Sequence, residues 1–271
     1  MFVDVHAHLI HPQFAGEEDL IATRAKAAGV TRVIVNGLEP RSNRAVLALC
    51  ERHDNLLPAL GIYPVDAIAH VIDRATWTHP WPPPESFDPD AEVDFIASVA
   101  DRLVAIGECG LDAYWVTDHM PEQERVLRRL VEVAIAADKP LILHTRKSEE
   151  RTFAILQEMG VKRADFHCFG GKLKLAVRIA EAGYHFSIPP VVVRSESFQR
   201  MTEKLPLESL LTETDCPYMG PDSGRNEPAN VPIGVAKMAQ VRCMSTEDFA
   251  AALGRNFETL FRVPVIPATV G

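Results

Sequence analysis

Apolar and polar residues divide the chain into two alternating kinds of segment. Short runs rich in Val, Ile, Leu and Ala read as buried strands. Longer runs with apolar residues three and four apart read as helices. The first run, Phe2-Val3-Asp4-Val5-His6-Ala7-His8-Leu9, is apolar and β-branched up to His6 and predicts a strand. Glu17 to Ala28 predicts a helix closed by Gly29, a suitable residue just past a helix end. Thr31 to Asn36 predicts the second strand, Arg41 to Arg52 a helix, and Leu56 to Ile62 the third strand. His70 to Pro89 breaks the alternation: it holds five prolines and two tryptophans, Trp77 and Trp81. The prolines forbid a regular helix and predict an inserted loop, packed on its own barrel rather than serving as a lid over the site or an oligomer contact.

The alternation then resumes. Asp90 to Arg102 reads as a helix, Leu103 to Glu108 as the fourth strand, and Pro121 to Asp138 as a long helix with proline in its first turn. Pro140 to His144 is the fifth strand, Ser148 to Met159 a helix, Ala164 to His167 the sixth strand, and Lys172 to Ala182 a helix closed by Gly183. Tyr184 to Ile188 and Leu207 to Glu213 give strands seven and eight, and Ile233 to Arg262 is helical in two or three pieces. Strands alternating with helices predict a parallel sheet. Eight such units in 271 residues predict one (β/α)8 barrel over residues 1–271, with an insertion at about 70–89. No linker divides the chain.

A barrel of this kind places chemistry at the C-terminal ends of its strands. His6, His8, Glu108, His144, His167 and Asp215 all fall at such ends. Residues two apart on a strand point the same way, so His6 and His8 aim at one spot. Four histidines and two carboxylates suit one or two divalent ions. Glu108 is the carboxylate placed to bridge two of them. Asp215 suits a general base beside a metal-activated water, which makes the reaction class metal-assisted hydrolysis. Each residue has a plainer reading: a hydrogen-bonded core histidine, a glutamate paired with arginine, a turn aspartate. Those readings require six such residues to reach one mouth by accident. Cys109, Cys168 and Cys216 each follow a candidate ligand, so alternation turns them towards the helix layer as small apolar residues. His11, His53, His70, His79, His119 and His185 lack this placement and read as structural.

Composition narrows the function without changing the fold. Hydrophobic residues are 47% and charged residues 24%, ordinary for a globular protein. The formal net charge of −9 and the lack of a Lys/Arg run exclude bulk electrostatic attraction of nucleic acid, so an anionic substrate must be held locally. Five cysteines without C-x-x-C spacing argue against a disulfide framework. There is no apolar run long enough for a membrane span and no signal-peptide pattern at the start, so a reducing cytoplasm is the default location.

The motifs VDVHAHL at 3–9, GECGLD at 107–112, LILHTR at 141–146, FHCFGG at 166–171 and LLTETDCPY at 210–218 together resemble the TatD family of metal-dependent hydrolases, within the amidohydrolase-like barrels. RNEPANVP at 225–232 is similar to that family's loop after the last strand, and the matches run to about Phe261. The resemblance implies a one- or two-metal site on His6, His8, Glu108, His144, His167 and Asp215, with Glu213 supporting it. It implies phosphodiester hydrolysis, with magnesium-dependent 3′–5′ DNase activity among members. Arg146 is a candidate for a phosphate oxygen, with a surface salt bridge as its plainer role; Arg225 and Asn226 are weaker candidates. The family's usual G-I-H-P-H segment is replaced here by Gly61-Ile62-Tyr63-Pro64-Val65. Two histidines are thus lost, leaving Tyr63 one hydroxyl to offer a phosphate.

The expected function is therefore a divalent-metal-dependent phosphodiesterase or deoxyribonuclease acting on DNA or a small phosphodiester. Histidine-rich ligation suits Zn or Mn, and the family activity points to Mg. A hydrolase of a small ester, lactone or amide is the alternative. A non-catalytic metal-containing binding protein is a third reading, against which an intact Asp215 argues.

Overall fold

The computed structural model describes residues 1–266. Its eight strands are β1 (Phe2–Ala7), β2 (Val30–Asn36), β3 (Leu56–Leu60), β4 (Ala105–Asp112), β5 (Leu141–Arg146), β6 (Ala164–His167), β7 (His185–Ile188) and β8 (Leu210–Thr212). They pair in that order, each parallel to the next. The last strand returns to the first: Ala7 bridges Cys216, Asp215 N donates to His6 O (2.8 Å), and Thr212 Oγ1 donates to Val3 O (2.7 Å). The Asp4 carboxylate braces this seam, accepting from Thr214 N (2.9 Å) and Thr214 Oγ1 (2.6 Å). The architecture is the (β/α)8 barrel that the alternation implied.

The helices are α1 (Glu18–Ala27), α2 (Pro40–Cys50), α3 (Pro64–Ala67), α4 (Pro89–Ser98), α5 (Met120–Ala136), α6 (Glu149–Glu158), α7 (Leu173–Glu181), α8 (Glu196–Lys204), α9 (Val231–Val241) and α10 (Thr246–Phe261). Among the described residues no helix is long and apolar enough to cross a membrane. The main core lies between strands and helices. A smaller cluster joins Val3, Ala105, Ile142 and Leu211 to Phe257, Leu260 and Phe261, so α10 closes the end of the barrel opposite the site.

Several boundaries differ from the sequence reading. Glu108 and His144 do not end their strands: β4 continues to Asp112 and β5 to Arg146. Gly110 makes this possible, because a Cβ there would stand 1.9 Å from His144 O, on the facing residue of β5. β8 is shorter than Leu207 to Glu213, since residues 207–209 form a 3-10 turn. Helix α8 had no counterpart in that reading. It is short and polar, burying only Phe198, Met201 and Thr202 behind a Ser195 cap. The segment before α4 holds one 3-10 turn, Arg74–Thr76, and is pinned by Trp77, which packs beside Val65, Ile68 and Val116.

Gly61 sets the height of β4 against β3. A Cβ at Gly61 would lie 2.2 Å from Glu108 O and 2.7 Å from Glu108 C, both backbone atoms. Gly61→Ala is therefore expected to lower unfolding free energy by about 1–3 kcal/mol through overpacking, read as a lower urea midpoint. A pH effect comes from His185, whose buried Nδ1 has no partner among the described residues and whose pKa burial lowers to about 4. The unfolded imidazole, near 6.5, takes a proton that the folded one refuses. Its contribution is complete above pH 6.5 and fades as pH falls towards 4. Over that window the wild type should lose up to about 3 kcal/mol more stability than His185→Gln, in denaturant titrations at several pH values.

Candidate metal centre

Six side chains from five strands or strand ends converge: His8, Glu108, His144, His167 and Asp215 line one cavity of about 880 Å³, and His6 is buried beside them. His6 comes from β1 and His8 from just beyond it; their Nε2 atoms lie 3.0 Å apart. Glu108, from the middle of β4, stands between two groups. Its Oε2 faces His6 Nε2 (3.4 Å) and His8 Nε2 (3.3 Å). Its Oε1 faces His144 Nδ1 (3.1 Å) and His167 Nε2 (3.0 Å). Asp215 Oδ1 completes the first group, 3.8 Å from His6 Nε2 and 3.5 Å from His8 Nε2. Ligand atoms 2.0–2.1 Å from a tetrahedral ion stand roughly 3.3 Å apart. The observed spacings bracket that value, so the residues fit a divalent ion, and one carboxylate faces two such groups.

The electrostatics agree. Burial alone would neutralise Glu108, but the charge of His167 and the hydrogen bonds from His144 and His167 hold its pKa well below the usual range. Asp215 is likewise lowered, its burial outweighed by the hydrogen bond from His8 and the nearby imidazoles. Burial opposes a charged His8, yet its bonds to Asp215 and Glu108 raise it to about 10. His6 goes the other way, to about 4, through burial and repulsion from His167, on which its ring is stacked at 3.8 Å. Concentrated negative charge thus draws protons onto His8, His144 and His167, the place a divalent cation takes in a loaded site.

A surrounding layer aims these groups. His144 Nε2 donates to Asp112 Oδ2 (2.9 Å), which turns its Nδ1 towards Glu108. The other Asp112 oxygen accepts from Tyr114 N and Trp115 N, each at 2.8 Å. His8 Nδ1 lies 3.4 Å from Asn36 O. Glu213 is fully buried, accepts from Cys168 N (2.8 Å), and places Oε2 3.5 Å from His167 Nδ1. Ser187 Oγ lies 2.6 Å from Glu213 Oε2 and 2.7 Å from Asp165 Oδ2. One hydroxyl proton cannot serve both, and burial raises both acids to about 7, which lets one keep a proton of its own.

The strand ends also bend sharply. Lys147, Cys168 and Asp215 take left-handed backbone angles (φ 58°, 44° and 51°), each costing about 1–2 kcal/mol for a non-glycine residue. The bend after β6 corrects the placement of Cys168. Alternation assumed a continuing strand, and the turn instead brings Cys168 to the cavity, whereas Cys109 and Cys216 are fully buried in the core. His11 also reaches the cavity, 3.1 Å from the Tyr218 hydroxyl.

The other sequence candidates separate. Tyr63 lines the cavity, its ring centroid 4.9 Å from that of His144. Arg146 lines it too and lies over Tyr114 (4.0 Å) and Trp115 (4.7 Å). Among the described residues it forms no ion pair, so its guanidinium edge is free. Arg225 is not brought to the cavity: it pairs with Glu17 (2.7 Å) and donates to Gln13 O (2.6 Å). Asn226 is buried and ties the loop after β8 by donating to Thr214 O and Tyr218 O. Sequence reasoning missed Asp112. Its signal was present, since Glu108, Gly110 and Asp112 share one face of β4 by the period of two.

A closed (β/α)8 barrel with histidines and carboxylates gathered at one mouth is the arrangement of a metal-dependent hydrolase. The family model described as "TatD related DNase" matches residues 3–262, and the chain belongs to that family. It is 33% identical to the human deoxyribonuclease TATDN3, over 96% of this chain and 94% of that protein. It is 28% identical to the metal-dependent hydrolase YabD of Bacillus subtilis, over 97% of this chain and 100% of that one. The crystal structure of YJJV, a TatD homolog from Escherichia coli, superposes with a TM-score of 0.83 at 29% identity, covering 97% of this chain and 98% of that one.

Removing the Asp112 carboxylate should free His144 to rotate. Asp112→Ala is expected to weaken divalent-metal affinity about 10–100-fold, measured by competition with a chromophoric chelator.

Proposed function

We propose that the protein is a divalent-metal-dependent phosphodiesterase whose substrate is DNA, cleaved from the 3′ end. His6, His8 and Asp215 with Glu108 Oε2 would hold one ion, and His144 and His167 with Glu108 Oε1 a second, of Zn, Mn or Mg. Such ions supply Lewis-acid polarisation of a phosphoryl oxygen and a water of lowered pKa. The observation that carries the reading is the division of the two Glu108 oxygens between two imidazole groups.

The chain's own groups do the remaining work. The Asp215 carboxylate takes the proton of the attacking water, a role suited to a group kept ionised by its neighbours. Asp112 and Glu213 hold His144 and His167 in the orientation that faces Glu108. Arg146, flat against two aromatic rings, presents its edge N–H groups to a non-bridging phosphate oxygen. Tyr63 offers one hydroxyl where the family usually has a histidine. Five cysteines that form no disulfide support work in a reducing cytoplasm.

One observation favours a second reading, hydrolysis of a small ester, lactone or amide. Leu38, Val65, Pro82, Pro84 and Met219 make much of the cavity wall apolar. Both readings meet in one assay series, with Mg, Mn or Zn supplied. On the first, 3′-labelled single-stranded DNA releases mononucleotides, chelation stops it, and Asp215→Asn lowers kcat about 10²–10⁴-fold. Turnover of esters or lactones with DNA untouched would install the second reading instead.

A further inference from the structure

The proline-rich segment between α3 and α4 does more than cover the barrel. It delivers Trp81 to the central cavity, where it meets Trp115 from the loop after β4. The two indoles lie edge to face, centroids 4.5 Å apart and planes at 85°. They form a corner of two perpendicular aromatic planes. Arg146 adjoins it, its guanidinium 4.7 Å from the Trp115 ring centre.

The corner is braced from both sides. His79 stacks on Trp81 at 5.0 Å and 18°. The Trp81 carbonyl accepts from Trp77 Nε1 (2.8 Å), and Trp77 is itself anchored beside Val65 and Ile68. Arg74 Nη1 donates to Pro84 O (2.7 Å), tying the far end of the segment back. Proline restricts the unfolded chain, so holding this loop in place costs less entropy than its length suggests. On the Trp115 side, the Asp112 carboxylate accepts from Trp115 N and from His144 Nε2. Trp115 and the metal centre are therefore fixed relative to each other through one residue.

We propose that Trp81 and Trp115 form a stacking subsite for one unpaired nucleobase, next to the phosphate held by Arg146. The inference rests on the phosphodiesterase reading above and names what that substrate must offer. Every base has a π-face, and stacking on aromatic side chains binds single strands with little sequence preference. Bases within a duplex have both faces covered, so only an unpaired or extruded base can use the corner.

The test compares two single strands of equal length joined by cleavage-resistant phosphorothioate linkages, one base-bearing and one abasic. Binding to full-length, metal-loaded protein is followed by fluorescence anisotropy. The wild type should bind the base-bearing strand about tenfold or more tightly than the abasic one. Trp81→Leu, which keeps apolar bulk without the ring, should bring the two within about twofold, and Trp81→Phe should restore most of the gap. Equal binding of both strands by the wild type, or a gap unchanged in Trp81→Leu, overturns the subsite. If ordinary single-stranded DNA is still hydrolysed in that case, the subsite alone has failed. Binding of neither strand, with no phosphodiester hydrolysis, overturns the activity as well.

Discussion

The whole upper end of the barrel answers to one buried carboxylate. Glu108 is 2% exposed and ionised, and a bare buried charge of that kind costs several kcal/mol. The chain meets this by bringing imidazoles from β1, β5 and β6 within 3.0–3.4 Å of its oxygens. Parallel strands make that economical, because each contributes its side chain at nearly the same height. Folding the barrel and assembling the centre are thus a single event. The attraction that gathers the histidines also makes the centre receptive to divalent cations.

The second layer turns attraction into direction. An imidazole offers two nitrogens, and which one faces the centre is set by what holds the other. His8 leans on a backbone carbonyl of β2, His144 on Asp112, and His167 on Glu213. Glu213 also accepts from the backbone of Cys168, where the chain bends through a left-handed angle. The strained turn and the oriented histidine share one support. Such strain persists where surrounding bonds over-determine it, as they do here.

Most of this was legible in the sequence, for identifiable reasons. Short apolar runs located all eight strands, and the expectation that chemistry gathers at one mouth of the barrel named six residues that the structure brings together. What was illegible involved glycine, backbone sign and side-chain partners. Gly110 looks like a strand breaker, yet β4 runs through it, because a missing Cβ lets the backbone of β5 approach. The left-handed angle at Cys168 reverses an alternation argument that held for Cys109 and Cys216. Arg225 opens a family-like loop motif, and only the fold reveals that Glu17 pairs with it. Helix α8 escaped because two apolar residues three apart are too few to show a period.

Asp112 spends one oxygen on His144 and the other on the backbone of Tyr114 and Trp115. The loop after β4 is therefore not a free module: altering its path disturbs the pull on a histidine of the centre. The segment before α4 has no such tether and meets the cavity only through Trp81 and its prolines. Divergence in substrate choice has an easy route and a hard one. Replacing residues 70–88 wholesale leaves the chemistry in place, whereas remodelling 113–118 retunes both at once. A designer seeking new specificity on this scaffold should graft at the first stretch and leave the second alone.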